Sequence, residues 1–227
     1  MGFPRLTPVA DRAVLVAFGK VVTEPVHEAV LALDRVLRDE PVAGQVEVVP
    51  AMVNLLVVFD PLVTDHAAVM VEVGARLSRL QPDPTAGAER EVLVCYDGEF
   101  GRDLAAVAGQ AGMSVEAVIA AHLAGDYRVF MYGFAPGYAY LTGVPETIHL
   151  PRKAAPVRGV AAGSVIIAGG QCLVTTLTMP TGWWVIGRSP DRILTGEGAR
   201  PFLFDVDDRV RFRRIGEAEF RSREAGA

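Results

Sequence analysis

The chain has 227 residues, 51% hydrophobic and 22% charged, with a formal net charge of −5. Those values fit one large domain or two modest ones, with the profile of an ordinary soluble globular protein. The acidic balance argues against general nucleic-acid binding, and no apolar run approaches the roughly 18 residues of a membrane-spanning helix.

The N-terminus, MGFPRLTPVADR, has no apolar signal core, and Leu6 breaks the myristoylation pattern. Residues 1–80 read as ββαββα. Arg5–Val9 pairs with the apolar run 13–18, and Thr23 is placed to cap a helix whose first turn holds Glu24 and Pro25. Val26, Val30, Leu33 and Leu37 recur at helical spacing, and Pro41 and Gly44 stop the pattern. Residues 45–49 and 53–59 form a β-rich pair. Asp65 then caps a helix whose inner face is Val69, Val73, Leu77 and Leu80. This order predicts a four-stranded sheet with two helices on one side and its other face open to a neighbour.

The Pro/Gly-rich stretch 81–89 is the expected linker between domains 1–80 and 90–227. Residues 1–89 carry seven basic and twelve acidic side chains, whereas 90–227 carry fifteen of each. The second domain opens with a strand over 91–96, followed by a short helix over 103–110. Ser114 caps another helix, which places Val115, Val118, Ile119 and His122 on one face. Beyond it only strands are visible, at 127–132, 164–168, 171–178, 183–187, 201–204 and 208–213. Gly169-Gly170 is a hairpin turn, and the polar tail from Gly216 is expected to fray. Many short strands without helical periodicity point to a barrel or a sandwich.

The chemistry concentrates between Arg128 and Pro190. There nine Gly, six Pro and both Trp accompany five basic residues and one acid, Glu146. A basic concavity on an acidic chain attracts an anion or an acidic surface. No phosphate loop, dinucleotide fingerprint or G-x-S-x-G elbow occurs, and the four histidines lack metal-ligand spacing, so no metal is expected. Cys95 and Cys172 form no CxxC pair, and a reducing cytoplasm is the default. What remains are binding candidates. Gly133-Phe134-Ala135-Pro136-Gly137-Tyr138 can wall a pocket. Arg152, held by Pro151, can grip a carboxylate or phosphate in bidentate fashion. Gln171 follows the Gly169-Gly170 turn, Trp183 opens a strand, and Arg188 emerges at that strand's end. His122 is a further candidate, although a lone histidine on a helix face is more often structural.

Several segments stand in a familiar order: Tyr127-Arg128-Val129, Gly133-Phe134-x-Pro136-Gly137, Tyr140-Leu141, Pro151-Arg152, Ala162-Gly163-Ser164-Val165, Ala168-Gly169-x-Gln171, Gly182-Trp183 and Ile186-Gly187-Arg188-x-Pro190. Together they resemble the allophanate hydrolase subunit 1 family, which includes the 5-oxoprolinase B subunits and the KipI-type inhibitors of a histidine kinase. Glu99-Phe100-Gly101-x-Asp103-Leu104 and Asp208-Arg209-Val210-Arg211-Phe212 extend the likeness over nearly the whole chain.

The resemblance implies an α+β chain, with an N-terminal ββαββα two-layer domain and a C-terminal cyclophilin-like β-barrel. It also implies a companion like allophanate hydrolase subunit 2 or the 5-oxoprolinase C-type subunit, with ATP used by the assembled complex. Shared fold does not carry cyclophilin's isomerase activity. The expected role is a non-autonomous subunit of an ATP-dependent amide-cleaving enzyme, inactive alone. Arg152 and Arg188 would hold an anionic group, Gln171 would orient it, and Tyr138 and Tyr140 would shape the pocket. The alternative is a KipI-type regulator that binds a histidine kinase. The sequence departs from the family where Thr175, Met179 and Trp184 replace Tyr, Ser and Gln. If those positions line the site, they leave room for a substrate other than 5-oxoproline.

Overall fold

The computed structural model describes residues 2–81, 87–198 and 200–225. The chain divides into two compact units, Met1–Ala86 and Gly87–Ala227. Residues 82–86, most of the expected linker, lie outside the described residues.

In the first unit, alternate apolar residues put one side of each strand inward. Strands β1 (Arg5–Val9), β2 (Ala13–Ala17), β3 (Gln45–Pro50) and β4 (Asn54–Phe59) form an antiparallel sheet in the order β1-β2-β4-β3. Val14 and Val16 lie opposite Val57 and Leu55, so all four share a face. Helices α1 (Glu24–Asp39) and α2 (His66–Leu77) cover that face with Val30, Leu33, Leu37, Val69 and Val73. The two helix starts differ. Asp65 accepts a hydrogen bond from the Ala68 amide at 2.9 Å, whereas Thr23 occupies the cap position without a side-chain cap bond. α1 begins instead with Pro25 in its first turn and the His27 amide donating to the Thr23 carbonyl at 3.0 Å.

The second unit is a closed barrel of seven strands. They are β5 (Glu89–Cys95), β6 (Tyr127–Tyr132), β7 (Ala139–Thr142), β9 (Ser164–Ala168), β10 (Gln171–Val174), β12 (Trp184–Arg188) and β15 (Arg209–Ile215), in the order β10-β7-β6-β15-β5-β12-β9. The β9–β10 hairpin closes the ring around the Gly169-Gly170 turn, with Gly169 at φ +53°. β5 and β15 run parallel, pairing from Glu89↔Arg209 to Cys95↔Ile215. That long pairing draws β5 back into the stretch read as linker and explains why it starts before residue 91.

Inside the barrel, Val92, Val94, Val129, Leu141, Val165, Ile167, Cys172 and Phe212 meet Leu104 and Val107 of α3 (Leu104–Ala111) and Val118 and Ile119 of α4 (Val115–Leu123). Ser114 caps α4 through a 3.1 Å bond from the Ala117 amide. Every residue of β9 is buried, because a second apolar layer covers the barrel's outer wall. There Ile166, Ala168, Leu173 and Val185 meet Tyr138, Val160 and Trp183.

The stretch expected as one strand over 171–178 breaks after Val174. The Thr175 hydroxyl donates to the Ala161 carbonyl at 2.8 Å and accepts from the Ser164 amide at 2.9 Å, which turns the chain out of the barrel. It returns as β11 (Met179–Thr181), paired with β8 (Val157–Val160). β13 (Leu194–Glu197) and β14 (Arg200–Phe202) form a separate hairpin. The polar tail does not fray: α5 (Glu217–Ala225) buries Phe220 fully, its ring centroid 4.4 Å from that of Phe100. Glu217–Arg221 and Glu219–Arg223 pairs one turn apart support its outer face. Among the described residues, no single helix is long and apolar enough to cross a membrane.

Candidate functional site

The outer apolar layer of the barrel is not sealed. It opens into a concavity of about 180 Å³ with Ile166 of β9 and Leu173 of β10 among its lining residues. Tyr138, Tyr140, Met179 and Trp183 line it too, and Arg152, Phe134 and residues 180–182 complete it. The Tyr140 and Trp183 rings meet edge to face at 6.0 Å, and the Arg152 guanidinium lies 5.5 Å from the Trp183 ring centre. A guanidinium over an indole face is favourable and leaves its N–H edge free for a planar anion. Among the described residues, Arg152 has no ion-pair partner.

The wall carrying Tyr138 is held by its own backbone. The Gly133 amide donates to the Tyr138 carbonyl at 3.1 Å, the Tyr138 amide to the Ala135 carbonyl at 3.0 Å, and the Thr176 hydroxyl to the Pro136 carbonyl at 2.8 Å. Gly137 has φ +71°, and a side chain there would meet Leu194 at 2.8 Å, so this corner requires glycine. Phe134 also has a positive φ of 72°, a costly conformation for an aromatic residue, yet its side chain is 77% exposed. The Tyr138 hydroxyl donates to the Met179 sulfur at 2.8 Å. Burial, followed by the neighbouring Tyr140, pushes the Tyr138 phenol up to about 12, so it remains a neutral donor at physiological pH.

Arg188 has a different environment. It lines a second concavity of about 400 Å³ together with Thr176, Asp191, Arg192 and Glu224. Its guanidinium is 3.0 Å from the Glu224 carboxylate, donates to the Ala162 carbonyl at 3.2 Å, and sits over Phe220. Arg152 and Arg188 therefore line separate concavities and do not form one anion clamp. The sequence placed them together because it could not show the acid that α5 brings to Arg188.

His122 is corrected more firmly. It is 0% exposed and sits among Tyr96, Tyr127 and Phe212. Its Nδ1 is 2.7 Å from the Tyr96 hydroxyl, its Nε2 is 3.6 Å from the Cys172 sulfur, and its backbone carbonyl accepts from Tyr127. Desolvation lowers its pKa to about 3, so it is neutral in the fold and cannot present a charge to an anion. Gln171 starts β10 opposite Ala168 and Thr142 and is not among the residues lining the Arg152 pocket. Gly169 and Gly170 shape the β9–β10 hairpin, where a side chain on Gly170 would press His149 at 3.2 Å.

Sequence reasoning missed Ile166 and Leu173 as pocket residues and Asp103 as a participant nearby; of the three departures from the family pattern, Met179 lines the pocket and Thr175 and Trp184 do not. Ile166 and Leu173 carried no local signal, since each sits in an ordinary apolar strand run. Among the described residues, no group of three or more His, Cys, Asp or Glu is arranged to hold a metal ion.

The sequence matches the family described as carboxyltransferase domain, subdomain C and D, over residues 4–204. It is 34% identical to the 5-oxoprolinase B subunit of Bacillus subtilis, with 95% of each chain covered. It is 33% identical to the 5-oxoprolinase B subunit of Escherichia coli O157:H7, over 90% of this chain and 93% of that one. Among solved structures, TTHA0988 superposes with a TM-score of 0.79 at 34% identity, covering 90% of this chain but 40% of that one. A conserved uncharacterized protein from Pyrococcus horikoshii is 37% identical with a TM-score of 0.57, over 95% and 100% of the two chains. The Kluyveromyces lactis urea amidolyase shares the fold at 16% identity and a TM-score of 0.77, over 96% of this chain and 15% of that one. With that match across both units and relatives of this identity over nearly its full length, the chain belongs to the carboxyltransferase subdomain C and D family that includes the 5-oxoprolinase B subunits.

Proposed function

We propose that this chain is the B-type subunit of an ATP-dependent amide-cleaving enzyme of the 5-oxoprolinase kind, and that the Arg152 pocket receives the substrate. The observation that carries this reading is the pocket's composition: a cation with no acidic partner among the described residues, at the edge of a small aromatic cavity. A cyclic amide bearing a carboxylate matches it group for group. Arg152 takes the carboxylate through paired N–H bonds, and Tyr140 and Trp183 pack the ring. The neutral Tyr138 hydroxyl, which donates only to a soft sulfur, turns to the amide oxygen. Its donation there polarises the carbonyl toward attack.

Among the described residues that line this pocket there is no His, Cys, Asp, Glu or Lys to act as base, and its one aliphatic hydroxyl, Thr181, accepts from the Trp183 amide at 3.1 Å. Its volume of about 180 Å³ is of the scale of a small amide. In this reading the companion completes the site, and ATP is used by the assembled complex. The Met179 position, where the family resemblance has Ser, contacts the substrate-facing tyrosine and is where a different small amide would be selected.

Co-purification with the companion tests the reading. The pair is expected to elute together from size-exclusion chromatography and, with the third subunit that the family resemblance implies for 5-oxoproline cleavage, to open 5-oxoproline with ATP, while the chain alone shows no turnover. Turnover by the purified single chain would sink it, as would a stable complex with the companion and the third subunit that cleaves no small cyclic or linear amide.

A further inference from the structure

The Glu99-Phe100-Gly101-x-Asp103-Leu104 motif has no part in the pocket itself, yet the structure connects it to Arg152. Asp103 stands at the start of α3 but does not cap it. Its Oδ2 instead accepts from the Val185 amide at 2.7 Å, and its own amide donates to the Val185 carbonyl at 3.0 Å. Gly101 permits this approach to β12, since a side chain there would sit 2.9 Å from the Ile186 carbonyl and 2.5 Å from that of Tyr96. The same Asp103 oxygen accepts from Lys153 Nζ at 2.5 Å, in a pair only 11% and 17% exposed. The ammonium also lies 5.2 Å from the Trp184 ring centre.

Arg152 is thus flanked by fixed points on both sides. Before it, the Pro151 carbonyl accepts from the Trp184 indole at 2.8 Å, and the Leu150 carbonyl accepts from the Gly169 amide at 2.7 Å. After it, the Lys153 amide donates to the Gly182 carbonyl at 2.7 Å and the Lys153 side chain is tied to Asp103. We propose that Asp103 and Lys153 are a positioning pair that fixes the 150–153 segment on β12 and so sets Arg152 over Trp183. Lys153 is then not a second anion ligand, because its charge is committed to Asp103. This inference rests on the pocket reading only for its consequence in turnover. The placement of Arg152 is measurable without any ligand.

In the ¹⁵N-labelled full chain, the Trp183 indole signal, assigned with W183F, reports the guanidinium above it, and R152M defines the shift when that group is gone. K153M is expected to move the signal most of the same way, K153R to restore it, and R152M/K153M to move it no further than R152M. D103N, which keeps an acceptor for Val185, repeats the measurement if K153M does not fold. In the complex with the companion, K153M is expected to raise KM for 5-oxoproline about tenfold while kcat stays within about twofold, with recovery in K153R. A Trp183 signal unmoved by both K153M and D103N, or by R152M, overturns the positioning role. If the indole shifts are as expected while R152M leaves KM unchanged, the positioning pair stands and the assignment of the pocket to substrate falls.

Discussion

Arg152 lies over an indole at the edge of an aromatic pocket, with no ion-pair partner among the described residues. Arg188, from the same basic segment, is paired with Glu224 and stacked over Phe220 in a different concavity. Lys153, adjacent to Arg152, is tied to Asp103. Three cations that look equivalent in sequence therefore have three conditions in the fold: available, neutralised at the surface and committed in a half-buried pair. The formal charge of a segment does not predict the charge a site offers, because acids distant in sequence are folded against it. Binding power follows the unpartnered group.

Breaking the comparison at its centre should give the largest effect. In the assembled complex, R152M is expected to raise KM for a carboxylate-bearing amide by about tenfold to a hundredfold, the value of a lost charged hydrogen bond of ~1.5–3 kcal/mol. R188M should change KM by no more than about twofold, since Arg188 lines a different concavity and already faces the Glu224 carboxylate. Parallel steady-state kinetics decide the matter. Equal losses in the two variants would dissolve the distinction.

The next effect concerns the barrel that supports both concavities. His122 titrates near 6.5 when unfolded and only at about 3 when folded, because burial disfavours the imidazolium. The unfolded chain therefore binds the extra proton first. Stability from this group is intact above pH 6.5 and is lost as pH falls toward 3, with a slope of about 1.4 kcal/mol per pH unit. Denaturant melts across that window are expected to show the slope, and H122N is expected to flatten it while lowering stability at neutral pH. An unchanged slope in H122N would mean another group controls the acid transition.

The smallest effect sharpens the contrast at the pocket rim. Phe134 holds a left-handed backbone conformation and leaves its ring exposed. F134G removes a conformational cost of about 1 kcal/mol, partly offset by the freer unfolded chain, so thermal stability should be unchanged or slightly higher. Substrate KM should nonetheless rise severalfold. A marked loss of stability would show that the ring supports the fold rather than the site.

Much of the first unit was legible because its strands alternate and its helices repeat at 3.6 residues, and local spacing alone determines such faces. The second unit was legible where hairpin chemistry is local, as at Gly169-Gly170, and less so elsewhere. β7 and β8 are only four residues each, too short to carry a period, and exist because neighbouring strands pair with them. α5 read as a fraying tail because only one buried residue, Phe220, anchors it, against a ring supplied by a distant turn.

By itself the sequence determined the element order of the first unit, the concentration of aromatic and basic residues in one segment, and membership of the family. These depend on local periodicity and on residue identities in order. Tertiary structure alone decided that His122 is interior, that Glu224 reaches Arg188, that Asp103 holds Lys153, and that Arg152 is left over Trp183 with no acid among the described residues. Each of these outcomes is a long-range pairing of charge or burial. Such pairings depend on which residues meet once the barrel has closed, and no local pattern carries that information.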